Sequence, residues 1–456
     1  MKEQSEVQEV TCPESISVKS YDPCDPHTFS RAHRWCMTCI LSTLAFLSFW
    51  AAGAYSPGID GIRREFGPSI EVANLGVAFY PLGFTLGPLL GAPLSELYGR
   101  RIVFLTTIPL TIISCLGIAL ARNTAMILTF RFLTALFISG PFAVAGGAVS
   151  DLWPREDRFL PIILYSTAPN LGSTLGPVVG GFTSFYLTFR WTFYIQMIML
   201  GVTYILIVFF VPETYAPKLR GEVTVDPVEA KKKIKTAMQR PVRLLIHEPI
   251  VLFTSIYLAF VYGLLFCSFS AYPVEYQLAR HWNVLDSSLA FLGISVGILI
   301  AGLLSPAFKP LYMRNPTPEG RLYQACVGAI VLPISLFWWA WTSGANVNAF
   351  ASISAGGGIG VGLLFLFLSI VDYLVDTYTE FAASALAANG AFRTLVTTLF
   401  PLFSHQMFIG LGTQWAMTIL AFCSVLLTPI PFVFLKYGKT IRARGKYAHE
   451  LRSDVP

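Results

Sequence analysis

The sequence predicts an all-α membrane protein of twelve transmembrane helices in two six-helix bundles, and three observations carry that prediction. Of the 456 residues, 54% are hydrophobic and only 13% are charged, against about 45–50% and about 25% in soluble domains. Apolar runs of about 20 residues, enough to cross a hydrocarbon core of about 30 Å as helix, recur twelve times. They lie near 35–55, 73–94, 102–121, 124–148, 160–184, 191–211, 250–272, 288–308, 322–342, 350–371, 381–403 and 412–435. The longest internal polar stretch, 212–249, divides them six and six.

Taken in order, residues 1–34 are polar, contain Pro13, Pro23 and Pro26, and lack a signal-peptide layout. They are expected to form a disordered tail, with the first span as an uncleaved anchor. The first bundle follows at 35–211, then a basic linker at 212–249, the second bundle at 250–435 and a second tail at 436–456. The net charge of +6 sits mostly in connectors of one side: Lys218, Arg220, Lys231, Lys232, Lys233, Lys235, Arg240 and Arg243 in the linker, and Arg100, Arg101, Arg155, Arg158, Lys309, Arg314 and Arg321 elsewhere. Such a distribution sets topology rather than recruiting nucleic acid, and it assigns both termini to the cytosol. On the other side the longest connector, 56–72, offsets Arg63 and Arg64 with Asp60, Glu65 and Glu71. The linker's lysines interleave with Val228, Ile234, Met238 and Leu244. That pattern fits an amphipathic helix on the inner leaflet or a solvated linker, and both readings stay open.

A shift of 214 positions lays Leu303, Leu304, Leu311, Tyr312 and Arg314 over Leu89, Leu90, Leu97, Tyr98 and Arg100, a faint parallel repeat. Paired halves of this kind place a site between them at mid-membrane. The glycine run from Gly356 to Gly362 has neither a preceding strand nor a following Gly-Lys-Ser/Thr, so it reads as helix packing rather than a nucleotide loop. Eight scattered cysteines, with Cys36 and Cys39 the one close pair, make no metal or redox site, and no cofactor is expected.

Several groups are candidates for a moving machine. After the second span, Leu94-Ser-Glu-Leu-Tyr-Gly-Arg-Arg101 places Glu96, Gly99, Arg100 and Arg101 at the membrane boundary, where charges can latch helix ends or the opposing bundle in one state and release them in another. Asp151 is a further boundary acid for such a latch. In the fifth span Gly172, Gly176, Gly180 and Gly181 recur at helical spacing around Pro177, an expected packing hinge between the halves. Arg131 in the fourth span and Arg393 in the eleventh cost about 2.5–3.5 kcal/mol each at the bilayer centre, so each should face a cavity or a partner. No Asp or Glu stands deep in a span; the acids Asp60, Glu96, Asp151, Glu275, Asp372, Asp376 and Glu380 fall at span ends. Proton traffic, if present, therefore points to Glu96, Asp151, Asp376 or His405. Tyr80, Tyr165, Asn170, Tyr194, Gln196, Asn389 and Arg393 are the polar groups within apolar spans that would line a substrate cavity or bond between helices.

With those residues in view, the chain over roughly 35–435 resembles fungal members of the major facilitator superfamily, in the twelve-span drug:proton antiporter group that includes multidrug and polyamine exporters. The turn after the second span is similar to the family's loop signature, with Ala92 where Gly is usual, Glu96 for Asp and Leu97 for Arg. Arg131-Phe-Leu-Thr-Ala135 resembles the fourth-span motif that the family links to proton transfer, with Ala135 for Gly. Gly172 to Gly181 matches the fifth-span antiporter motif, associated with export. Val211-Pro-Glu-Thr-Tyr-Ala-Pro217 and the stretch from Tyr373 and Asp376 through Asn389 to Arg393 and Phe400-Pro-Leu-Phe403 resemble the fungal branch, while Arg158-Phe-Leu-Pro161 departs from it.

The resemblance implies a small-molecule substrate, export of a hydrophobic drug, toxin or secondary metabolite by alternating access in exchange for protons through Arg131, Glu96 and Asp376, and a monomer in the plasma membrane in preference to the vacuolar one. Polyamine export is the rival within the family, though a polycation wants buried carboxylates. A proton-independent facilitator or uptake permease of the same fold is another. A membrane enzyme finds no clustered His or Asp pairs and no nucleophile-elbow serine. A transport-dead receptor on this scaffold is not separated by sequence.

Overall fold

The computed structural model describes residues 29–154, 157–219, 238–314 and 317–444. The crossing helices are α1 (Arg31–Gly53), α2 (Ile70–Tyr98), α3 (Arg100–Ala119), α4 (Thr124–Leu152), α5 (Phe159–Tyr186), α6 (Phe189–Phe210), α7 (Pro249–Tyr272), α8 (Leu292–Leu304), α9 (Leu322–Thr342) and α10 (Ala349–Thr377). α11 (382–411) and α12 (413–427, continued by Pro429–Arg444) run on from one another across Gly412, whose φ of 74° and ψ of 158° break the helix. Ser30, Ser69, Asn123 and Asn348 cap the starts of α1, α2, α4 and α10 by accepting a backbone N–H of the first turn.

Ten helical stretches are long and apolar enough on their own to span a bilayer. The last of these holds both α11 and α12, and α5, though 28 residues long, is diluted by Gly, Ser, Thr, Pro and Asn. Those small residues serve packing rather than lipid contact. Twelve crossings result. The described termini and the connectors after α2, α4, α6, α8 and α10 share one end of the molecule, here the terminal face; the remaining connectors form the opposite face.

The first six helices pack on one another, as do the last six, and the halves meet along two pairs: α2 with α11, and α5 with α8 together with the short helix Val284–Leu289. Those pairs exchange under a two-fold relation between halves, as a parallel repeat requires. The repeat's register differs from the sequence hint. Arg321, not Arg314, is the partner of Arg100: Arg321 Nε bonds Asp376 Oδ2 at 2.7 Å at the end of α10, as Arg100 Nε bonds Asp151 Oδ2 at 2.6 Å at the end of α4. The α8–α9 connector is the longer of the two, so a fixed offset slides past the true equivalence.

In lipid, apolar side chains gain nothing by leaving one helix for another, and helices associate where small residues let backbones touch. Three glycine stripes do this. Gly83, Gly87 and Gly91 of α2 meet α4; Gly172, Gly176 and Gly180 of α5 meet α1 between Phe46 and Ala54; Gly293 and Gly297 of α8 meet Ile353 and Gly357 of α10, where Gly360 in turn meets Ile294. The glycine run of α10 is a packing surface, as its lack of phosphate-loop neighbours predicts. The α5 stripe corrects the expectation of a hinge between halves, since three of its glycines fasten α5 to α1 inside the first half. Pro177 lies against Gly53 of that same helix, and only Gly181 faces the other half, at Ser288.

Outside the membrane, most of the lysine-rich linker (220–237) lies beyond the described residues, as do the first 28 positions and Arg155; residues 238–247 are helical. α12 extends past the expected boundary at 435 to Arg444, held by the Arg442–Glu319 ion pair at 3.0 Å.

The stripes predict a position-specific tolerance to a single methyl. At Gly176 a Cβ would stand 2.5 Å from the Trp50 carbonyl, whereas at Gly201 it meets nothing within 4 Å. Gly176→Ala should lower the stability of the purified protein by about 1–3 kcal/mol, read as an earlier thermal unfolding midpoint, and Gly201→Ala should leave it unchanged.

Candidate functional site

The seam between the halves is held by polar contacts that any membrane helix could supply singly but that here converge. Thr85 and Thr394 share a hydroxyl bond of 2.8 Å, Tyr262 donates to Asn170 Oδ1 at 2.9 Å, Ser295 donates to Thr174 at 2.8 Å and Ser56 donates to the Phe269 carbonyl at 2.7 Å. At the terminal face the Lys309 ammonium lies 5.6 Å over the Phe159 ring. Between these points a small void of about 10 Å³ is lined by Phe49, Tyr80, Phe84, Tyr262, Phe266, Arg393 and Thr394. Toward the opposite face the seam widens into a cavity of about 290 Å³ bounded by Ser56, Asp60, Arg63, Asn74, Gln277 and His405.

Arg393 is 7% exposed and stacks on Tyr262 at 4.3 Å and Phe367 at 5.1 Å, with no carboxylate beside it. Its guanidinium is thus a cation in an aromatic wall with a buried Nε that lacks a hydrogen bond. Tyr80 reaches the same void while donating to the Ser48 carbonyl at 2.5 Å. Asn170, through Tyr262, is a bridge between halves. The other expected lining residues are not gathered there. Tyr165 donates to the Phe142 carbonyl at 2.5 Å, Asn389 donates to Ser255 at 3.1 Å inside the second half, and Tyr194 packs on Trp191 at 5.7 Å. Gln196 is buried with its Nε2 unpartnered.

Arg131 is fully buried inside the first half, away from the void. Its Nη1 donates to the Ala51 carbonyl at 2.6 Å and its Nε to Gly76 at 3.0 Å, while the rings of Tyr55 and Tyr80 lie 4.5 and 4.7 Å away. It therefore ties α4 to α1 and α2 through backbone carbonyls and aromatic faces. Glu96 is solvent-exposed and has no ion pair among the described residues, and Asp376 is paired with Arg321 at the terminal face. The three groups expected to move protons are thus far apart and share no network.

The loop signature after α2 is latched, and the group that latches it was not singled out as a site by sequence. Gly99 takes a φ of 95°, open to glycine at little cost, and turns the chain into α3. Glu213, in the segment after α6, accepts the first amides of α3, Arg100 N at 2.9 Å and Arg101 N at 3.4 Å, and lies 3.9 Å from Lys218. A carboxylate at a helix N-terminus answers both the unpaired N–H groups and the macrodipole. Arg101 also donates to the Val208 carbonyl at 2.9 Å. Arg100 completes the cluster by facing Tyr215 at 5.6 Å, and burial, then the Glu96 charge, raise that phenol's pKa. Every one of these contacts stays within the first half or the segment that follows it, so of the two expected partners, helix ends and the opposing bundle, this structure shows the helix end. Tyr312, 3.8 Å from Arg321, and Asp372, 3.6 Å away, repeat the theme in the second half.

Two carboxylates near helix ends are buried, of which only Glu275 was among the span-end acids of the sequence. Glu248 accepts from Tyr378 OH at 2.9 Å, and Glu275 accepts from Trp339 Nε1 at 2.6 Å. The signal available for Glu275 was its place two residues after Pro273, where a proline lets the helix run on as a π turn and re-aim its side chains.

Two packed six-helix halves, a polar seam at mid-membrane and charged latches at one face define the class: a multi-pass membrane transporter. The chain belongs to the Major Facilitator Superfamily, whose description matches residues 41–401. It is similar to the efflux pump FUBT of Fusarium oxysporum, 38% identical over 446 residues, which is 92% of this chain and 75% of that protein. It is similar also to the multidrug transporter mdrA of Aspergillus fumigatus, 38% identical over 452 residues (94% and 74%), and to the MFS-type transporter traF of Penicillium crustosum, 37% identical over 441 residues (93% and 92%). The proton:xylose symporter XylE bound to 6-bromo-6-deoxy-D-glucose shares the fold, with a TM-score of 0.66 at 16% identity over 90% of this chain and 96% of that one. Its family and relatives are transporters rather than enzymes.

The two intramembrane arginines should separate by experiment. Arg131→Ala removes the charged hydrogen bonds to the Ala51 and Gly76 carbonyls, about 1.5–3 kcal/mol each, and should markedly lower the thermal midpoint of the purified protein. Arg393→Ala, whose guanidinium bonds no carbonyl among the described contacts, should unfold close to the wild-type temperature.

Proposed function

We propose that the protein exports hydrophobic small molecules, drugs, toxins or secondary metabolites, from the terminal face to the opposite face by alternating access in exchange for protons. The observation that carries this reading is the wall of the central void: five aromatic rings and one guanidinium, with no carboxylate. Rings offer dispersion and stacking to flat apolar compounds of many shapes, and Arg393 adds attraction for carbonyl, phenolate or carboxylate groups on them. A polyamine would meet a cation there and no anion, which ranks polyamine export below this reading. The names of the relatives, efflux pump and multidrug transporter, support export. The resemblance of the Arg131 and Gly172–Gly181 stretches to antiporter motifs supports proton exchange. A basic terminal face, with Arg100, Arg101, Arg158, Lys218, Arg240, Arg243 and Lys309, supports cytosolic termini, and the resemblance to drug exporters supports the plasma membrane.

The test is uptake of a panel of labelled drugs, polyamines and fungal metabolites into inside-out vesicles, with and without an acid-inside gradient. Gradient-dependent accumulation of apolar compounds is expected, and Arg393→Ala should weaken handling of the acidic members by about tenfold, the equivalent of a desolvated cation–π or charge contact, while sparing neutral ones. Accumulation of spermidine in their place would reverse the ranking, and movement indifferent to the gradient would make the protein a facilitator.

A further inference from the structure

α7 ends at the opposite face in a π turn, Pro273–Ala279, that carries the fully buried Glu275. Proline has no N–H to give the carbonyl four residues earlier, so Phe269 is left with a free acceptor. Ser56 of the first half fills it at 2.7 Å. One of the contacts that close the halves at this face is therefore made on the backbone defect that starts the π turn.

The carboxylate inside that turn is only half satisfied. Oε2 accepts from Trp339, but Oε1 has no hydrogen bond, with Arg280 Nε 3.8 Å away, too far for one. Arg280 is itself held elsewhere, donating to the carbonyls of Val347 at 2.6 Å, Thr342 at 3.1 Å and Gly344 at 2.9 Å. Its position does not depend on the charge of Glu275. The other titratable groups facing the carboxylate are the Tyr272 and Tyr276 phenols; α9 and α10 bring Trp339 and Ser352, which do not titrate. Val274, Gln277 and Leu278 of the same turn wall the 290 Å³ cavity, across from Asp60, Arg63 and His405. Glu275 is thus one residue away from a wall of that cavity, in a segment with one residue more per turn than an α-helix. Relaxing the π turn to α rotates the side chains beyond it by about 100°.

We propose that Glu275 is the proton-sensing group of the opposite-face gate: protonated, it stays buried and the Ser56–Phe269 clasp holds; ionised, it draws the π turn toward the cavity and its water, and the clasp parts. The proton passes between Oε1 and water of the cavity, so the step needs no other reactant. The direction follows from burial outweighing the Arg280 charge 3.8 Å away: a neutral carboxyl costs far less to keep out of water than a carboxylate, and the guanidinium keeps its three carbonyl partners when Glu275 is neutral. This assignment gives the proton-exchange reading its actuator and rests on that reading only for its purpose, not for its test.

The test follows the gate itself, in the full-length protein in nanodiscs, by the rate at which a membrane-impermeant thiol reagent labels Gln277→Cys, above the background of the protein without it and divided at each pH by the reagent's rate with a free thiol, so that the change in thiolate fraction cancels. On an otherwise wild-type chain the rate should fall severalfold on acidification. With Glu275→Gln, which keeps the acceptor for Trp339, it should be low and indifferent to pH, and with Glu275→Asp it should again respond. A pH response that survives Glu275→Gln, or one absent from the parent, overturns the assignment; so does a response abolished by His405→Gln. A wild-type protein that labels as expected but accumulates nothing under a gradient sinks the proton-exchange reading and leaves this one standing. An unchanged thermal midpoint in Glu275→Gln separates loss of sensing from loss of fold.

Discussion

The structure depends on backbone meeting backbone. A lipid-embedded chain has no water to flee, so its helices are joined by what remains when side chains are removed from a contact: dispersion between closely spaced main chains. Gly83 to Gly91, Gly172 to Gly180 and Gly293 to Gly297 supply that approach at three helix pairs, all inside one half or the other. The result is two bodies that are stiff within and joined to each other by few bonds. Rigid halves with a lightly bonded seam are what a rocking transporter needs, because motion then concentrates where cohesion is least.

Charge performs a complementary task at the terminal face. Arg100 with Asp151, and Arg321 with Asp376, brace the tight connector at matching places in the two halves, and Glu213 adds a cap on α3 that has no counterpart among the described contacts of the second half. The first half is thereby fastened to the segment that leads into the linker, and a pull on that segment reaches the start of α3 through one carboxylate. Deep in the membrane the same residue types take another part: Arg131 bonds carbonyls and rings instead of acids.

Much of this was legible in the sequence, and the failures have physical reasons. Spans are legible because length and apolarity are local properties, and the run 212–249 stands out for the same reason. α5 was counted among the apolar runs although its glycine and serine leave it short of the hydropathy that the other spans reach, because those residues depress the index without exposing the helix to water. The α5 stripe was read correctly as a packing face, but periodicity names a face and not its partner, and the partner is α1. Arg314 was aligned with Arg100 because a fixed offset cannot know that a connector gained residues; Arg321 is found only through Asp376. Tyr80 and Arg393 reach the void while Tyr165, Tyr194, Gln196 and Asn389 do not. Which way a polar group in an apolar helix turns is set by tertiary contacts. Glu275 was counted as a boundary acid since position along a span says nothing of which way a side chain turns where the helix runs on past Pro273 as a π turn.

The seam's cross-half hydrogen bonds among the described residues have a consequence for breadth. Hydrogen bonds between membrane helices average about 0.6 kcal/mol each, whereas a ligand of only millimolar affinity contributes about 4 kcal/mol. A compound would therefore need no close fit to part Tyr262 from Asn170 and Thr85 from Thr394; modest adhesion to the rings behind them suffices. Weak closure, rather than a large or plastic pocket, then sets how close a fit a cargo needs in order to part the halves.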